Sequence, residues 1–584
     1  MSRLPEPFYG YRPLIDKFLL VLFCGLHVAT ARAQLPELID LAQEPAGVEI
    51  TGAVSGDYSG YSLASGDFNG DEHADLAVLS VGAAPLGGSR RGIVDLIWGP
   101  FADGTFLSLA NPPGTRIFGT LVPLDFGSHL SAGDLNADGF DDLIWSQPLD
   151  GWGDGKVSVV LGRPAFPDTI DMATGPGGVI TVLGRYLWSA YFGVSTCACD
   201  MNGDGYDDLV ASSDFGEVVV ILGSDSLRSL YDIEQSYAEL SHVFEVVNLV
   251  ETGRALACGD LDGDSREDLV LGHESAQSGL ERGLVRVLFG HDVWSDTLYV
   301  SDPAFHAVTM LSPLGASFEL SVGVARPEAE VFVSDANADP LGGFDCGEVY
   351  RTFPVSGLPD SMVINSHDVA RSILIGQGSS THYGLDLTAG DLDADGWTDL
   401  AVASRDPAGN TVIVYGNASV PDSAFLGTDT TTTRILERDP GSWLGYGIEI
   451  VDFNGDGVHD LALGAHRAAM NKGQTYIIFG VPETTGVTSA KPMALTLWQN
   501  YPNPFNPVTT IVFTLPSAGH VRLDVFDVGG RFVQRLVDGW RSRDRHEVRW
   551  DGRDRDGRPL ASGVYFYRLT APEGSITRKA VLLR

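Results

Sequence analysis

The stretch "SAGDLNADGFDDLIW" (131–145) places Asp134, Asn136, Asp138, Asp141 and Asp142 within nine positions. Carboxylates this close repel one another unless a cation takes up their charge. The spacing D-x-[DN]-x-D-G-x-x-D presents oxygen donors at positions 1, 3, 5 and 9, with a backbone carbonyl at position 7. Oxygen-only donors favour calcium over zinc or copper, and a loop of this length tolerates calcium better than strictly octahedral magnesium.

The pattern occurs six times. The side-chain ligands are Asp67, Asn69, Asp71 and Asp75 in the first copy, and Asp134, Asn136, Asp138 and Asp142 in the second. Asp200, Asn202, Asp204 and Asp208 follow, then Asp260, Asp262, Asp264 and Asp268. The last two copies supply Asp391, Asp393, Asp395 and Asp399, and Asp452, Asn454, Asp456 and Asp460. His73, Phe140, Tyr206, Arg266, Trp397 and Val458 stand at position 7 and contribute backbone carbonyls. A helix–loop–helix calcium sensor needs a bidentate Glu at position 12. Here that position holds Val78, Trp145, Ala211, Leu271, Val402 and Leu463, so the ligand set closes at position 9 and strands follow the loops. The expectation is up to six structural Ca²⁺ ions, each tying two strands together.

A catalytic metal would need an open coordination position beside a general base, repeated in six equivalent loops. No HExxH, GxSxG or phosphate-binding loop is present, and "GWGDGKVS" (151–158) lacks the spacing and final Ser/Thr of the last. No catalytic residue is assigned, and the chain reads as a non-enzyme.

The copies begin 67, 66, 60, 131 and 61 residues apart. The doubled interval predicts a seventh, degenerate copy near 324, found in "LSVGVARPEAEVFVSDA" (320–336), where Val324 replaces the first ligand. Each unit couples its loop to short β-branched runs such as "DLAVAS" (399–404) and "GEVVVILG" (216–223). Seventy glycines against no sustained 3.6-residue period indicate strands and tight turns rather than helices. Four strands in each of seven units predict an all-β chain, a seven-bladed β-propeller over 45–482.

With flanks such as "FGSHLSAGD" (126–134) and "YGLDLTAGD" (383–391), the units resemble the FG-GAP repeat of the integrin α-subunit propeller. That resemblance implies metal loops on one face and a protein or glycan ligand on the other. Arg90, Arg91, Trp152, His466 and Arg467, in turns on the opposite face, are the candidate contacts.

Residues 483–496, within the Pro/Thr-rich stretch "VPETTGVTSAKPMA" (481–494) and just beyond, read as a linker. Beyond it, 497–584 alternates apolar residues with Gly and Pro turns in about seven short strands, the pattern of a small Ig-like β-sandwich. "NYPNPFNP", "WDGRDRDGRPLASGVYFYRL" and the basic closing strand resemble the bacterial C-terminal sorting domains of type IX secretion and the FlgD-like Ig-like domain. The resemblance implies recognition by an outer-membrane export machinery, with Arg578 and Lys579 as candidate recognition residues. "DGRDRDG" (551–557) reads as a β-turn rather than a seventh metal loop.

Charge divides the chain in the same way. Residues 491–584 carry a net +6 and the remainder −45, within a total of −39. So acidic a body excludes nucleic acid, whose phosphates require a basic face. Arg12 and Lys17 precede "FLLVLFCGLHVATA" (18–31), and "ARA" (31–33) offers a small-residue cleavage site; 1–33 therefore reads as a signal peptide, too short to span a bilayer comfortably. No other segment reads as a membrane span. Of Cys197, Cys199, Cys258 and Cys346, buried free thiols are expected, with room for one disulfide. The whole reads as an exported bacterial protein that binds or adheres at the cell surface. A polysaccharide- or phosphoester-processing enzyme and a scaffold within a surface assembly are the alternatives.

Overall fold

The structure, a computed structural model, describes residues 35–583 apart from internal stretches. The longer of these are 85–89, 121–128, 149–153, 185–190, 245–251, 274–283, 300–306, 312–321, 337–345, 353–360, 364–369, 405–409, 417–422, 427–431 and 482–495. The expected signal peptide, Trp152 and nearly all of the expected linker thus lie outside the described residues.

Among the described residues are seven five-stranded sheets. Their innermost strands are Ser59–Gly66, Leu130–Gly133, Thr196–Cys199, Thr252–Gly259, Val322–Ala325, Leu387–Gly390 and Leu444–Val451. Each packs against the next, and the last packs against the first, so the sheets close into a ring as the blades of a β-propeller. The second strands are almost wholly apolar and buried: "DLAVLS" at Asp75–Ser80 and "DLALGA" at Asp460–Ala465 have no exposed residue. Both faces of these strands are covered by neighbouring blades, which accounts for continuous apolar runs where a half-exposed strand would alternate.

Each blade has five strands where the sequence predicts four. The fifth is lent by the following unit, whose chain between its third and fourth strands runs parallel to the previous blade's outer strand. Thr169–Asp171 beside Thr115–Phe118 and Leu230–Asp232 beside Val179–Leu183 are examples. Three-residue strands of this kind carry too little pattern to be seen in a sequence.

The same rule explains the N-terminal arm. Leu38–Asp40 pairs in parallel with Thr432–Leu436, and Val48–Thr51 pairs antiparallel with Gln474–Ile478, completing the last blade. The propeller therefore begins before residue 45, because its seventh unit is assembled from both ends of the propeller segment. Val48 and Ile50 are fully buried in that seam.

The degenerate copy is more altered than expected. In the intact copies the residue before position 1 pairs with position 9, as Gly66 does with Asp75 and Gly133 with Asp142. In the fifth blade that pairing is Ala325 with Glu330. Only 326–329 separate them, against eight residues elsewhere. Val324 is thus not the counterpart of the first ligand; the connection is four residues shorter, too short for the nine-residue ligand set.

Cys199 and Cys258, on the innermost strands of the third and fourth blades, form a disulfide. The expectation of free thiols holds only for Cys197 and Cys346. Neighbouring innermost strands lie close enough for two small side chains one blade apart to meet.

The C-terminal unit pairs a three-stranded sheet (Thr496–Leu497, Thr509–Thr514, Arg545–Trp550) with a four-stranded one. The second runs Phe532–Arg541, Gly519–Asp527, Gly563–Ala571, Gly574–Leu582. Its strands alternate, as Gly519–Asp527 does, burying Val521, Leu523 and Val525 and exposing His520 and Arg522. Phe505, Phe513, Trp550 and Tyr567 fill the core between the sheets. In "DGRDRDG" the N–H of Gly557 donates to the carbonyl of Asp554 (2.9 Å), a turn of the expected kind. Arg578 donates through Nε to the carbonyl of Leu497 (3.0 Å), clamping the short first strand, while Lys579 is exposed.

Candidate cation-binding loops

Each loop links the innermost strand of its blade to the second strand, so all six leave corresponding ends of their sheets. Position 2 anchors the loop from inside: Phe68, Leu135, Met201, Leu261, Leu392 and Phe453 are buried. The position 1 carboxylate then gathers the backbone around itself. Its Oδ2 accepts the N–H of position 6 in every copy, from Glu72 to Asp67 (2.9 Å) through Gly457 to Asp452 (2.7 Å). Reaching that geometry requires left-handed backbone at position 6, with φ of 85° at Gly139 and 90° at Gly205. The repeated glycine of the motif supplies it without steric cost, whereas Glu72 and Ser265 adopt it as non-glycine residues.

The position 5 carboxylate accepts the N–H of position 7, as Asp71 does from His73 (3.1 Å) and Asp395 from Trp397 (2.7 Å). The same bond forms at Asp138, Asp204, Asp264 and Asp456. At position 3, Asn136, Asn202, Asp262, Asp393 and Asn454 accept the N–H of position 5 through Oδ1. Asn69 departs from this: its amide nitrogen donates to Asp75 (3.2 Å), so an ion held in this loop requires that amide to turn.

Position 9 is the most constrained. Asp75, Asp142, Asp208, Asp268, Asp399 and Asp460 are all buried. In each, one carboxylate oxygen accepts the N–H of position 2, as Asp142 does from Leu135 (3.2 Å). The other accepts a glycine N–H just past the blade's third strand, from Gly99, Gly162, Gly223, Gly290, Gly416 or Gly480 at 2.7–2.9 Å. One side chain thus joins loop, second strand and third strand.

Burial, reinforced by the other loop carboxylates, raises these acids far above the ordinary range. Asp75, Asp142 and Asp460 are pushed up to about 7 and Asp208 and Asp268 to about 8. Asp399 also lies well above its usual value. A positive charge sharing the site would favour the ionised form of such a carboxyl. Oxygen donors from positions 1, 3 and 9 converge within 4.8 Å in the loops at Asp260 and Asp391. Donor type, convergence and excess negative charge all fit a hard divalent cation.

Sequence reasoning missed position 8. Asp141 and Asp207 reach back to the preceding blade, accepting the N–H of Asp67 (2.7 Å) and of Asp134 (2.9 Å). A Cβ added at Gly66 or Gly133 would fall within 3 Å of these carboxylate groups, which explains the glycine before position 1. The signal is present as "DD" in two copies, but the motif alone assigns the first of the two acids no role.

Of the five candidate ligand contacts, the four within the described residues do not form one set. Arg91 is engaged by Asp171 (2.9 Å) and lies 5.6 Å from the ring of Phe118. His466 is buried among Tyr58, Tyr61, Trp443 and Tyr446, with ring centroids 4.5–6.2 Å apart. Arg90 is exposed, and Arg467 is exposed while stacking 3.6 Å over Trp443.

Residues 126–160 and 192–221 match the FG-GAP repeat. The chain carries FG-GAP repeats. Residues 506–575 match the FlgD Ig-like domain, at the C-terminal end. Integrin alpha-5 of Xenopus laevis is 28% identical over 298 residues, covering 49% of this chain and 24% of its own length. The phosphatidylinositol-glycan-specific phospholipase D of Bos taurus is 34% identical over 112 residues, covering 17% and 13%. The chain thus spans about a quarter or less of the length of these relatives. Among solved structures, PorZ, described as an essential bacterial surface component of the type-IX secretion system of Porphyromonas gingivalis, covers 91% of this chain and 60% of its own. It does so at 15% identity and a TM-score of 0.35. Among the described residues, no helix is long and apolar enough to cross a membrane.

Proposed function

We propose that the protein is an exported, calcium-stabilised surface protein that binds or adheres and carries out no catalysis of its own. The observation that carries this reading is the repetition of one loop geometry in six blades, a device that holds strands together. Up to six Ca²⁺ ions would be held by the carboxylates and amides of positions 1, 3, 5 and 9 with the carbonyl of position 7. Calcium supplies charge that the buried position 9 acids otherwise lack. The likeness to integrin alpha-5 supports a binding role, with a protein or glycan ligand on the face opposite the FG-GAP loops. There Arg90 and Arg467 are the candidate contacts left at the surface.

Screening the full chain on glycan and protein arrays, with calcium and with chelator, tests this reading. Saturable, calcium-dependent capture without turnover is expected, and Arg467→Ala should weaken it about tenfold if the residue is a central contact. Turnover of a captured glycan or phosphoester would replace the proposal with the enzymatic one.

The FlgD-like Ig-like unit is proposed as the address read by an outer-membrane export machinery. Its net +6 against a body of −45 distinguishes it from everything before it. Truncation after residue 490 should leave the propeller folded but retained in the periplasm, as followed by cell fractionation. Unchanged surface display would refute the role.

A further inference from the structure

Position 8 links the FG-GAP loops to one another. The carboxylate of Asp141 accepts the N–H of Asp67 (2.7 Å), while the N–H of Asp141 donates to the carbonyl of Asp67 (3.0 Å). Asp207 and Asp134 exchange the same two bonds, at 2.9 and 3.1 Å. The N–H of Glu267 donates to the carbonyl of Asp200 (2.9 Å). Across the last two intact loops, the N–H of Asp391 donates to Nδ1 of His459 (3.1 Å). In every case position 8, adjacent in the chain to the position 9 ligand, grips the backbone of position 1 in the preceding blade.

The chain of links is interrupted in two places. The fifth blade lies between the loops at Asp260 and Asp391, and its strands at Ala325 and Glu330 are joined by too few residues to carry the nine-residue ligand set. Ala74 stands at position 8 of the first blade; its methyl group can accept nothing from the loop at Asp452, and among the described residues its N–H makes no bond to the carbonyl of Asp452. The ring is therefore divided into a run of four loops, at Asp67, Asp134, Asp200 and Asp260, and a pair, at Asp391 and Asp452.

We infer that cation binding is coupled between neighbouring loops within each group and independent between the groups, with position 8 as the positioning residue. This rests on the cation reading of the loops. An ion in one loop fixes its position 9 aspartate, and with it the residue immediately before. That residue then fixes position 1 of the preceding loop in the place from which its carboxylate reaches both an ion and the loop's own N–H groups. Part of the ordering cost of the second site is met by the first, which is positive coupling without any shared ligand.

The experiment is hydrogen–deuterium exchange by mass spectrometry on the full chain across a calcium titration, because it reads each loop separately. Asp204→Ala removes a ligand from the loop at Asp200. It should raise the calcium midpoint for protection of 134–142 about fivefold, leaving 391–399 and 452–460 unmoved. Asp207→Ala, which removes no ligand and leaves only the backbone bond to Asp134, should raise the same midpoint and weaken its response to Asp204→Ala. Asp207→Asn keeps an acceptor oxygen and should keep the coupling. Calcium-dependent protection in which every loop responds independently would overturn the coupling alone. Protection indifferent to calcium in all six loops would overturn the cation reading and the coupling with it.

Discussion

Chelation is expected to lower the melting temperature on the order of 10 °C, and added calcium to restore it. Sites of this class in extracellular modules bind at about 10⁻⁴–10⁻³ M, and one held at ten times its Kd stabilises the fold by roughly 1.4 kcal/mol. Six such contributions are comparable with the whole stability of an ordinary domain. The pH dependence gives a sharper test. Five of the six position 9 carboxyls have folded values raised from 3.8 to about 7 or 8, and Asp399 is raised as well. In chelator the folded state therefore binds more protons than the unfolded state between these limits. The stability these groups contribute is complete below about pH 4 and is lost as pH rises through 7 to 8. With calcium bound the ionised form is the one favoured, so the fall should flatten or reverse. Differential scanning calorimetry at pH 5 and pH 8, with calcium and with chelator, measures all four corners. Asp142→Asn serves as control. An amide cannot accept at both oxygens from Leu135 and Gly162, so one buried N–H loses its partner at a cost of about 1–3 kcal/mol even in chelator. A chelated protein that melts unchanged, and no differently at pH 8, would remove calcium from the account.

The loops were legible because their chemistry is local. Nine consecutive residues carry every side-chain ligand, the left-handed glycine and the apolar anchor, and repetition separated signal from chance. The partners that make position 9 indispensable were not legible. The glycine N–H groups at 99, 162, 223, 290, 416 and 480 lie 15 to 24 residues downstream of their acceptors, in turns of no distinctive composition. Position 8 was not legible for a related reason: its partner lies one blade away, and an acid beside a ligand carries no mark of where it points. The fifth blade shows the limit of pattern matching at a missing feature. With no ligands to align, the sequence could not reveal whether one residue had changed or four had been lost, and only strand register separates the two. Composition likewise indicated a β-sandwich at the C-terminal end, since its strands alternate cleanly, but not that Arg578 is committed to the carbonyl of Leu497.

Removing the N-terminal arm is expected to have the second large effect. A chain beginning at residue 52 should fail to fold as a monomer, although it retains every FG-GAP loop. The reason is topological. The last blade lacks its fourth strand without Val48–Thr51, and the sixth lacks its outer strand without Leu38–Asp40. Two adjacent blades would then expose unpaired strand edges, which invite pairing with other chains. Closure depends on contacts between residues more than 390 apart in sequence, such as Leu38 with Arg434 and Val48 with Ile477. The hydrogen bonds of Leu35 with Tyr415 and of Thr433 with the carbonyl of Leu35 (both 3.2 Å) extend the seam. A graded version avoids the all-or-none outcome. Ile50→Ala empties a fully buried position between Thr475 and Leu107 and should cost about 2–5 kcal/mol by denaturant unfolding. Val54→Ala, at an exposed site just beyond the arm, should cost less than about 0.5 kcal/mol. Supplying the missing segment as a separate peptide spanning 35–51 should restore folding of the truncated chain in a concentration-dependent manner, because the seam is made by strand pairing and burial rather than by chain connectivity. A truncated chain that is monomeric and melts like the intact one would show that the ring does not depend on this closure.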